Sequence, residues 1–245
     1  MDVEAFGNAL LDTLDLDPVY VVVYNAGLDI PLKKRWLLAY WCFYHGGVAS
    51  KIADAKDFYV EMNKAQDEKW PRGRERRHFR GQASSNAIRW LKLQFSNPES
   101  AVDYLMEADT FNGVRDRITH WPLFGPWIAY KAADMIERVM GKPVSFSTQD
   151  LNFYKEPAEA ARLIDPGATL VQVVGRLIEK FKCHKAPPAM DRACGVQEIE
   201  TCMCKFKSYK NGHYYVGQDI KELGHALKGW GPLADRVLSH LPQVT

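Results

Sequence analysis

Thr169-Leu-Val-Gln-Val-Val-Gly-Arg-Leu-Ile-Glu-Lys-Phe181 sets the fold class. Leu170, Val173, Val174, Leu177, Ile178 and Phe181 recur every three or four residues, the single apolar stripe of an amphipathic helix. Working outward, Ile52, Ala55, Tyr59 and Met62 repeat in the same way behind Ser50, the expected N-cap. Asn97-Pro98 opens another helix through Tyr104. Gly195 to Tyr209 carries Val196, Ile199, Met203 and Phe206 on one face. Against these stands one strand candidate, Val19-Tyr-Val-Val-Val-Tyr24, with no second segment of similar quality to pair with. Breaks fall near Pro71-Arg-Gly73, Gly141-Lys-Pro143, Asp165-Pro-Gly167 and Pro187-Pro188, with no internal repeat or long linker. The expected fold is mainly α, residues 1–245 forming a single helical domain with two lobes around a cleft.

The chain has 245 residues, 47% of them hydrophobic and 25% charged, which excludes a disordered or low-complexity protein. A net charge of +2 argues for no partner by itself, so any basic site must come from clustering. Trp36 to Tyr44, the longest apolar run, is about half of a membrane span, and the acidic start Met1-Asp-Val-Glu lacks a signal-peptide plan. Five cysteines, an odd number, fit a reducing, cytoplasmic setting. The late ones, Cys183, Cys194, Cys202 and Cys204, lack zinc-knuckle spacing, and Cys202 and Cys204 would point to opposite sides of a helix. No metal or cofactor is expected. Phosphate-loop, serine-hydrolase and HExxH motifs are absent.

The densest chemistry is Trp70-Pro-Arg-Gly-Arg-Glu-Arg-Arg-His-Phe-Arg-Gly81. Arg72, Arg74, Arg76, Arg77 and Arg80 crowd together with Glu75 as the only carboxylate among them. Like charges this close cost a few tenths of a kcal/mol per pair on a helix, and an anion that bridges them removes the cost. Guanidinium forks match phosphate oxygens bidentately, so five arginines and no lysine point to phosphate or nucleic acid more than to solubility. Phe79 reads as core. Trp70 is left open between core and base stacking, and His78 between proton carrier and phosphate contact.

Phe111 to Arg115, then Leu123-Phe-Gly-Pro-Trp127, reads as helix, tight turn, helix, an arrangement that can present backbone N–H groups to a phosphate. Lys131, Asp134 and Arg138 follow at helical spacing and are equally a surface ion-pair ladder. Gln197, Glu200, Thr201, Cys204, Lys207 and Ser208 form the polar side of the 195–209 helix, where short groups suit a pocket wall as well as a hydrogen-bond network. His213, Tyr214 and Asp219 lie just beyond.

The arginine tract, Phe124-Gly-Pro-Trp127 with Lys131 and Asp134, Gln197-Glu-Ile-Glu-Thr201, Cys204-Lys-Phe-Lys-Ser208 and Gly212-His-Tyr214 together resemble the bacteriophage amino acid:DNA transferases. These are also called α-glutamyl/putrescinyl thymine pyrophosphorylases, clade two, a branch of the helix-hairpin-helix DNA glycosylase superfamily. The resemblance spans roughly residues 30–225. It implies a DNA-glycosylase-like helical fold with a helix-hairpin-helix-like element. It also implies action in infected bacterial cells on double-stranded phage DNA whose 5-hydroxymethyluracil has been phosphorylated. The (pyro)phosphate on the base's exocyclic carbon is replaced by a free amino acid, such as glycine, or another amine. Two departures weaken a base-cleaving role. The hairpin is Leu123-Phe-Gly-Pro-Trp127 instead of Leu-Pro-Gly-Val-Gly, and Ser147-Thr-Gln149, with Asp150 beyond, stands where the glycosylase aspartate is expected.

That chemistry assigns roles. Arg76, Arg77 and His78 are the expected catalytic part of the tract, while Arg72, Arg74, Arg80, Gly125, Trp127, Lys131, Lys205 and Lys207 contact phosphate or DNA. The amine arrives as an ammonium, and Glu200 or His213 takes its proton. Glu75 is expected to be a weaker base because its arginine neighbours stabilise the carboxylate. Losing either Arg76 or Arg77 is then expected to abolish transfer in a folded protein. A base-removing enzyme and a non-catalytic DNA-binding protein are the alternatives, the target base being flipped out in either enzymatic case.

Overall fold

In the computed structural model, which describes residues 1–243, the Thr169 stripe is a helix closed by a reciprocal capping box between Thr169 and Gln172. Fourteen α-helices are found among the described residues. In chain order they are α1 (Val3–Asp12), α2 (Pro18–Asn25), α3 (Ile30–Phe43), α4 (Gly46–Asp54), α5 (Phe58–Asp67), α6 (Gly81–Gln94) and α7 (Pro98–Met106). Then follow α8 (Phe111–Ile118), α9 (Pro126–Arg138), α10 (Lys155–Ile164), α11 (Leu170–Phe181), α12 (Val196–Lys210), α13 (Gln218–Leu227) and α14 (Pro232–Leu238). The fold is mainly α, and no described helix is long and apolar enough to cross a membrane.

Val19 to Tyr24 is the main correction: it is α2, not a strand. Pro18 at the first turn pre-sets a helical φ, and Val19, Tyr20, Val21, Val22 and Val23 are all buried. A segment buried on every side gains more from packing than β-branched propensity costs it, about half a kcal/mol per residue. Ser50 is a second correction. It sits inside α4, its hydroxyl donating to the Gly46 carbonyl and accepting from Trp36 Nε1, while His45 caps that helix and Asp57 caps the next. Asn97 caps α7 as expected.

Helices α3 and α9 lack a solvent face over most of their length and act as the spine. Trp36 to Phe43 of α3 and Ile128 to Ile136 of α9 are buried without a break, and the core around them is one continuous cluster. Helices α8 and α9 pack against each other across the turn 119–125, the expected helix–turn–helix, and Gly125 takes the N-cap position of α9.

Asp15, fully buried between α1 and α2, fixes where α13 begins. Its carboxylate accepts the Gly217 N–H at 2.6 Å, the Ile220 N–H at 3.0 Å and the Tyr214 hydroxyl. A carboxylate at a helix N-terminus satisfies orphan donors and complements the helix dipole. Asp15→Ala should therefore cost about 2–4 kcal/mol in denaturant unfolding, because two buried N–H groups and a phenol lose their acceptor.

Candidate active site

An open cleft of about 760 Å³ lies between the 72–75 loop, the α3–α4 junction, α9, α12 and α13. The tract reaches it because Gly73 lies flat on the end of α3. Its N–H donates to the Phe43 carbonyl at 2.9 Å, and a Cβ there would come within 2.6 Å of the Tyr44 carbonyl oxygen. Gly73→Ala should push the loop off α3 and lower activity at least tenfold while the rest of the protein keeps its helical circular dichroism, since a misplacement of about 1 Å already costs that much.

A short 3-10 turn at Arg74–Arg76 then sends the five arginines three ways. Arg72 and Arg74 line the cleft. Arg72 donates to Gln66 Oε1 at 2.9 Å and lies over the Phe43 ring, and neither arginine has a carboxylate partner among the described residues. Arg76 turns inward. Its guanidinium lies between the rings of Phe79 and Phe124, 4.9 Å from each centroid, and donates to the carbonyls of Cys42 and Leu123 at 3.2 and 2.7 Å. Burial lowers it to about 10, so it stays charged at neutral pH. Arg77, His78 and Arg80 are exposed and do not line the cleft. Phe79 is core, as expected, and Trp70 packs edge-on against Trp230 at 5.4 Å. Arg76 is thus placed as a structural cation. Arg76→Ala should destabilise by about 2–4 kcal/mol through two lost cation–π contacts and two unpaired carbonyls, which thermal unfolding would read.

The cleft floor is built by α9 and α12. Lys131 Nζ donates to Glu200 Oε2 at 3.3 Å and to Thr201 Oγ1 at 3.2 Å, and the Thr201 hydroxyl donates to the same Glu200 oxygen at 3.2 Å. The Cys204 thiol, 3.1 Å away, donates to Glu200 Oε1. Burial alone would lower the Lys131 ammonium, but Glu200, Asp17 and Asp134 outweigh it and raise its pKa. Burial and the Glu200 charge push the Cys204 thiol far up, so it is not a thiolate. Beside this group Tyr154 lines the cleft, its hydroxyl buried next to Glu200 with no well-formed hydrogen bond among the described residues. Trp127 meets Tyr44 edge-on at 5.0 Å, and Tyr44 continues through Tyr40 to Trp36, giving an aromatic wall. The 195–209 helix is therefore both things its texture suggested: Glu200, Thr201, Cys204 and Ser208 face the cleft, while Gln197 joins a buried network.

Another part of the lining is acidic. Glu75, Asp219 and Glu222 line it, Asp219 being held by Lys205 at 2.6 Å. Glu75 corrects an expectation. Its carboxyl is pushed up from the usual range, first by partial burial in the cleft and then by the charges of Asp219 and Glu222, with a backbone hydrogen bond and Arg74 opposing. The solvent it touches is the water of the cleft, and it has no ion pair among the described residues. His45 faces the same space. Burial lowers it to about 4, and its Nδ1 accepts the Val48 N–H at 3.3 Å, leaving it neutral with Nε2 as donor.

Several predicted residues fall elsewhere. His213 is exposed and outside the cleft, and Lys207 pairs with Glu159; Lys205 does line the cleft, paired with Asp219 and donating to the Asp15 carbonyl. Asp150 caps its own turn and accepts from Asn112. Lys131, Asp134 and Arg138 are not a surface ladder but buried, Arg138 contacting Asp17 at 2.7 Å, Glu198 at 3.2 Å and Asp134 at 3.5 Å. Tyr40, Tyr44, His45 and Tyr154 were not singled out in the sequence. A tyrosine pair at i,i+4 followed by His45-Gly-Gly47 was the available signal. Among the described residues no three His, Cys, Asp or Glu side chains converge as a metal site.

The family profile of the amino acid:DNA transferases matches residues 11–215, which include both spine helices and every cleft element except α13. The chain belongs to the amino acid:DNA transferase family. Relatives agree with that. A glycinyltransferase of Pseudomonas phage PaMx11 is 36% identical over 285 aligned positions, covering all of this chain and 97% of the relative. A putrescinyltransferase of Delftia phage PhiW-14 is 27% identical, covering 98% of this chain and 82% of its own. Within this amino acid:DNA transferase the resemblance carried by the arginine tract holds, and the tract's cleft-lining members are Arg72 and Arg74.

Proposed function

We propose that the chain transfers an amino acid, with glycine the first candidate, onto phage DNA by displacing the (pyro)phosphate of phosphorylated 5-hydroxymethyluracil. The observation that carries this is the short 72–75 loop, which delivers two guanidiniums without carboxylate partners among the described residues and one elevated carboxyl into the same cleft. The similarity to a phage glycinyltransferase supports glycine as the amine.

In this reading the phosphorylated base leaves the stack and enters the cleft, where Trp127 and Tyr44 supply an apolar wall. Arg72 and Arg74 neutralise charge as the C–O bond to phosphate breaks and the leaving oxygen keeps the electron pair. The incoming ammonium meets the acidic wall, loses a proton to Glu75, and its nitrogen forms the new C–N bond. Glu200 is a poorer acceptor than the sequence suggested, because three donors and the Lys131 charge already occupy it. Arg77, His78 and Arg80 face outward, where they suit the DNA backbone. Arg77→Ala should leave the chemical step intact, weaken duplex binding severalfold and reduce its salt slope by about one.

The test is mass spectrometry of nucleosides after incubating the protein with duplex carrying phosphorylated 5-hydroxymethyluracil and a panel of amines. A glycine adduct with release of phosphate or pyrophosphate is expected. Abasic sites would instead indicate base removal, and unchanged nucleosides with DNA binding would indicate a non-catalytic protein.

A further inference from the structure

The cleft floor holds an unfilled hydrogen-bonding pattern. A lysine ammonium has three donors, and Lys131 uses two, on Glu200 Oε2 and Thr201 Oγ1, so one is left. A carboxylate offers about four lone-pair directions, of which Glu200 has three filled, by Lys131, Thr201 and Cys204. The open one is on Oε1. Tyr154 lies beside Glu200 on the same floor, its hydroxyl buried with no well-formed hydrogen bond among the described residues, and burial, the Glu200 charge and a loose contact with that carboxylate push the phenol up. Lys131 and Glu200 are themselves only 7% and 2% exposed, and both line the cleft. Leaving a buried hydroxyl unsatisfied is costly, and an occupant with the right polar atoms removes that cost.

We infer that Lys131, Glu200 and Tyr154 form a donor–acceptor–donor array that reads the hydrogen-bonding edge of a flipped uracil ring, and so select uracil over cytosine. The inference rests on the proposed function for its ligand and assigns the residues that choose the base. A uracil edge presents carbonyl, N–H, carbonyl. The ring N–H meets the open lone pair of Glu200, and the two carbonyls meet Lys131 and Tyr154. Cytosine presents a bare ring nitrogen to the carboxylate and an amino group to one of the donors, so both contacts become repulsive. Complementary edge contacts of this kind discriminate between bases by about tenfold or more each. The array shares the cleft with Arg72, Arg74 and Glu75, which come from a different segment of the chain, so a base read at its hydrogen-bonding edge can direct its exocyclic carbon and phosphate toward the arginines.

The experiment measures binding, so that it stands whether or not transfer occurs. Duplexes carry a single mismatched dU or dC at the same position, and affinities are compared for the wild type, Glu200→Gln and Tyr154→Phe, each checked by thermal unfolding. The wild type is expected to prefer dU about tenfold or more. Glu200→Gln should bring the ratio near one, because the amide NH₂ can donate to the cytosine ring nitrogen. Tyr154→Phe, which removes only an oxygen, should reduce the preference severalfold without changing dC affinity. Equal affinity of the wild type for dU and dC, or an unchanged ratio in a folded Tyr154→Phe, overturns the array. The nucleoside assay is separate: no glycine adduct with dU preference intact would sink the transfer reading and leave the base reader standing.

Discussion

Glu75→Gln is expected to lower the rate of transfer by about 10²–10⁴-fold, the usual range for a lost general base, with DNA affinity and unfolding midpoint near those of the wild type. Glutamine keeps the shape and lies in a solvent-filled wall, so packing changes little. In the wild type the acid limb of the pH–rate profile should lie above the ordinary carboxylate range, since burial, Asp219 and Glu222 raise Glu75 and outweigh a backbone hydrogen bond and Arg74, which lower it. The proton acceptor must be deprotonated, so activity rises as pH passes through that elevated value. Removing a neighbouring negative charge in Asp219→Asn should move the limb to lower pH. Glu75→Gln should lose the limb and recover partly at high pH, where free amine is abundant. A wild-type profile from the Glu75→Gln enzyme would return the role to Glu200.

The largest effect on stability should come from Arg138→Met. This guanidinium holds Asp17, Glu198 and Asp134, donates to the Pro187 carbonyl and lies over the Tyr20 ring. Glu198 keeps Arg192, but Asp134 would keep only the Tyr20 hydroxyl at 2.9 Å. Breaking a buried pair from one side costs about 3–5 kcal/mol, and here several carboxylates are stranded together. Asp134 is already pushed up to about 7 by burial despite Arg138 and Lys131. Without Arg138 it should take up a proton at neutral pH, so part of the lost stability should return as pH falls. Denaturant midpoints measured across pH check both the loss and that slope; no loss near neutrality would mean the network is solvated.

The fold was largely legible because helical periodicity and caps are local. Thr169 to Phe181 and Asn97-Pro98 announce themselves in a few residues. Val19 to Tyr24 misled because its helix is decided by burial on all sides, which a β-branched run does not reveal. At the site, chemical character was readable and direction was not. The arginine tract pointed to phosphate, yet Gly73 against the Tyr44 carbonyl and one 3-10 turn decide which arginines enter the cleft. Glu75 was judged by its sequence neighbours, whereas α13, far along the chain, supplies the carboxylates that raise it. Lys131 and Glu200 were both singled out, but their pairing is a tertiary contact.

The cleft as the place of transfer is tested most directly by quantifying glycine-modified nucleoside from two sets of variants on the same phosphorylated duplex. One set is Arg72→Ala with Arg74→Ala, inside the cleft. The other is Arg77→Ala with Arg80→Ala and His213→Ala, outside it. At saturating DNA the inside pair should lose at least a hundredfold in single-turnover rate, as for other lost charge-stabilising groups, while the outside set stays within a few-fold of wild type. An inside pair that turns over normally, with product lost from the outside set, would contradict the account.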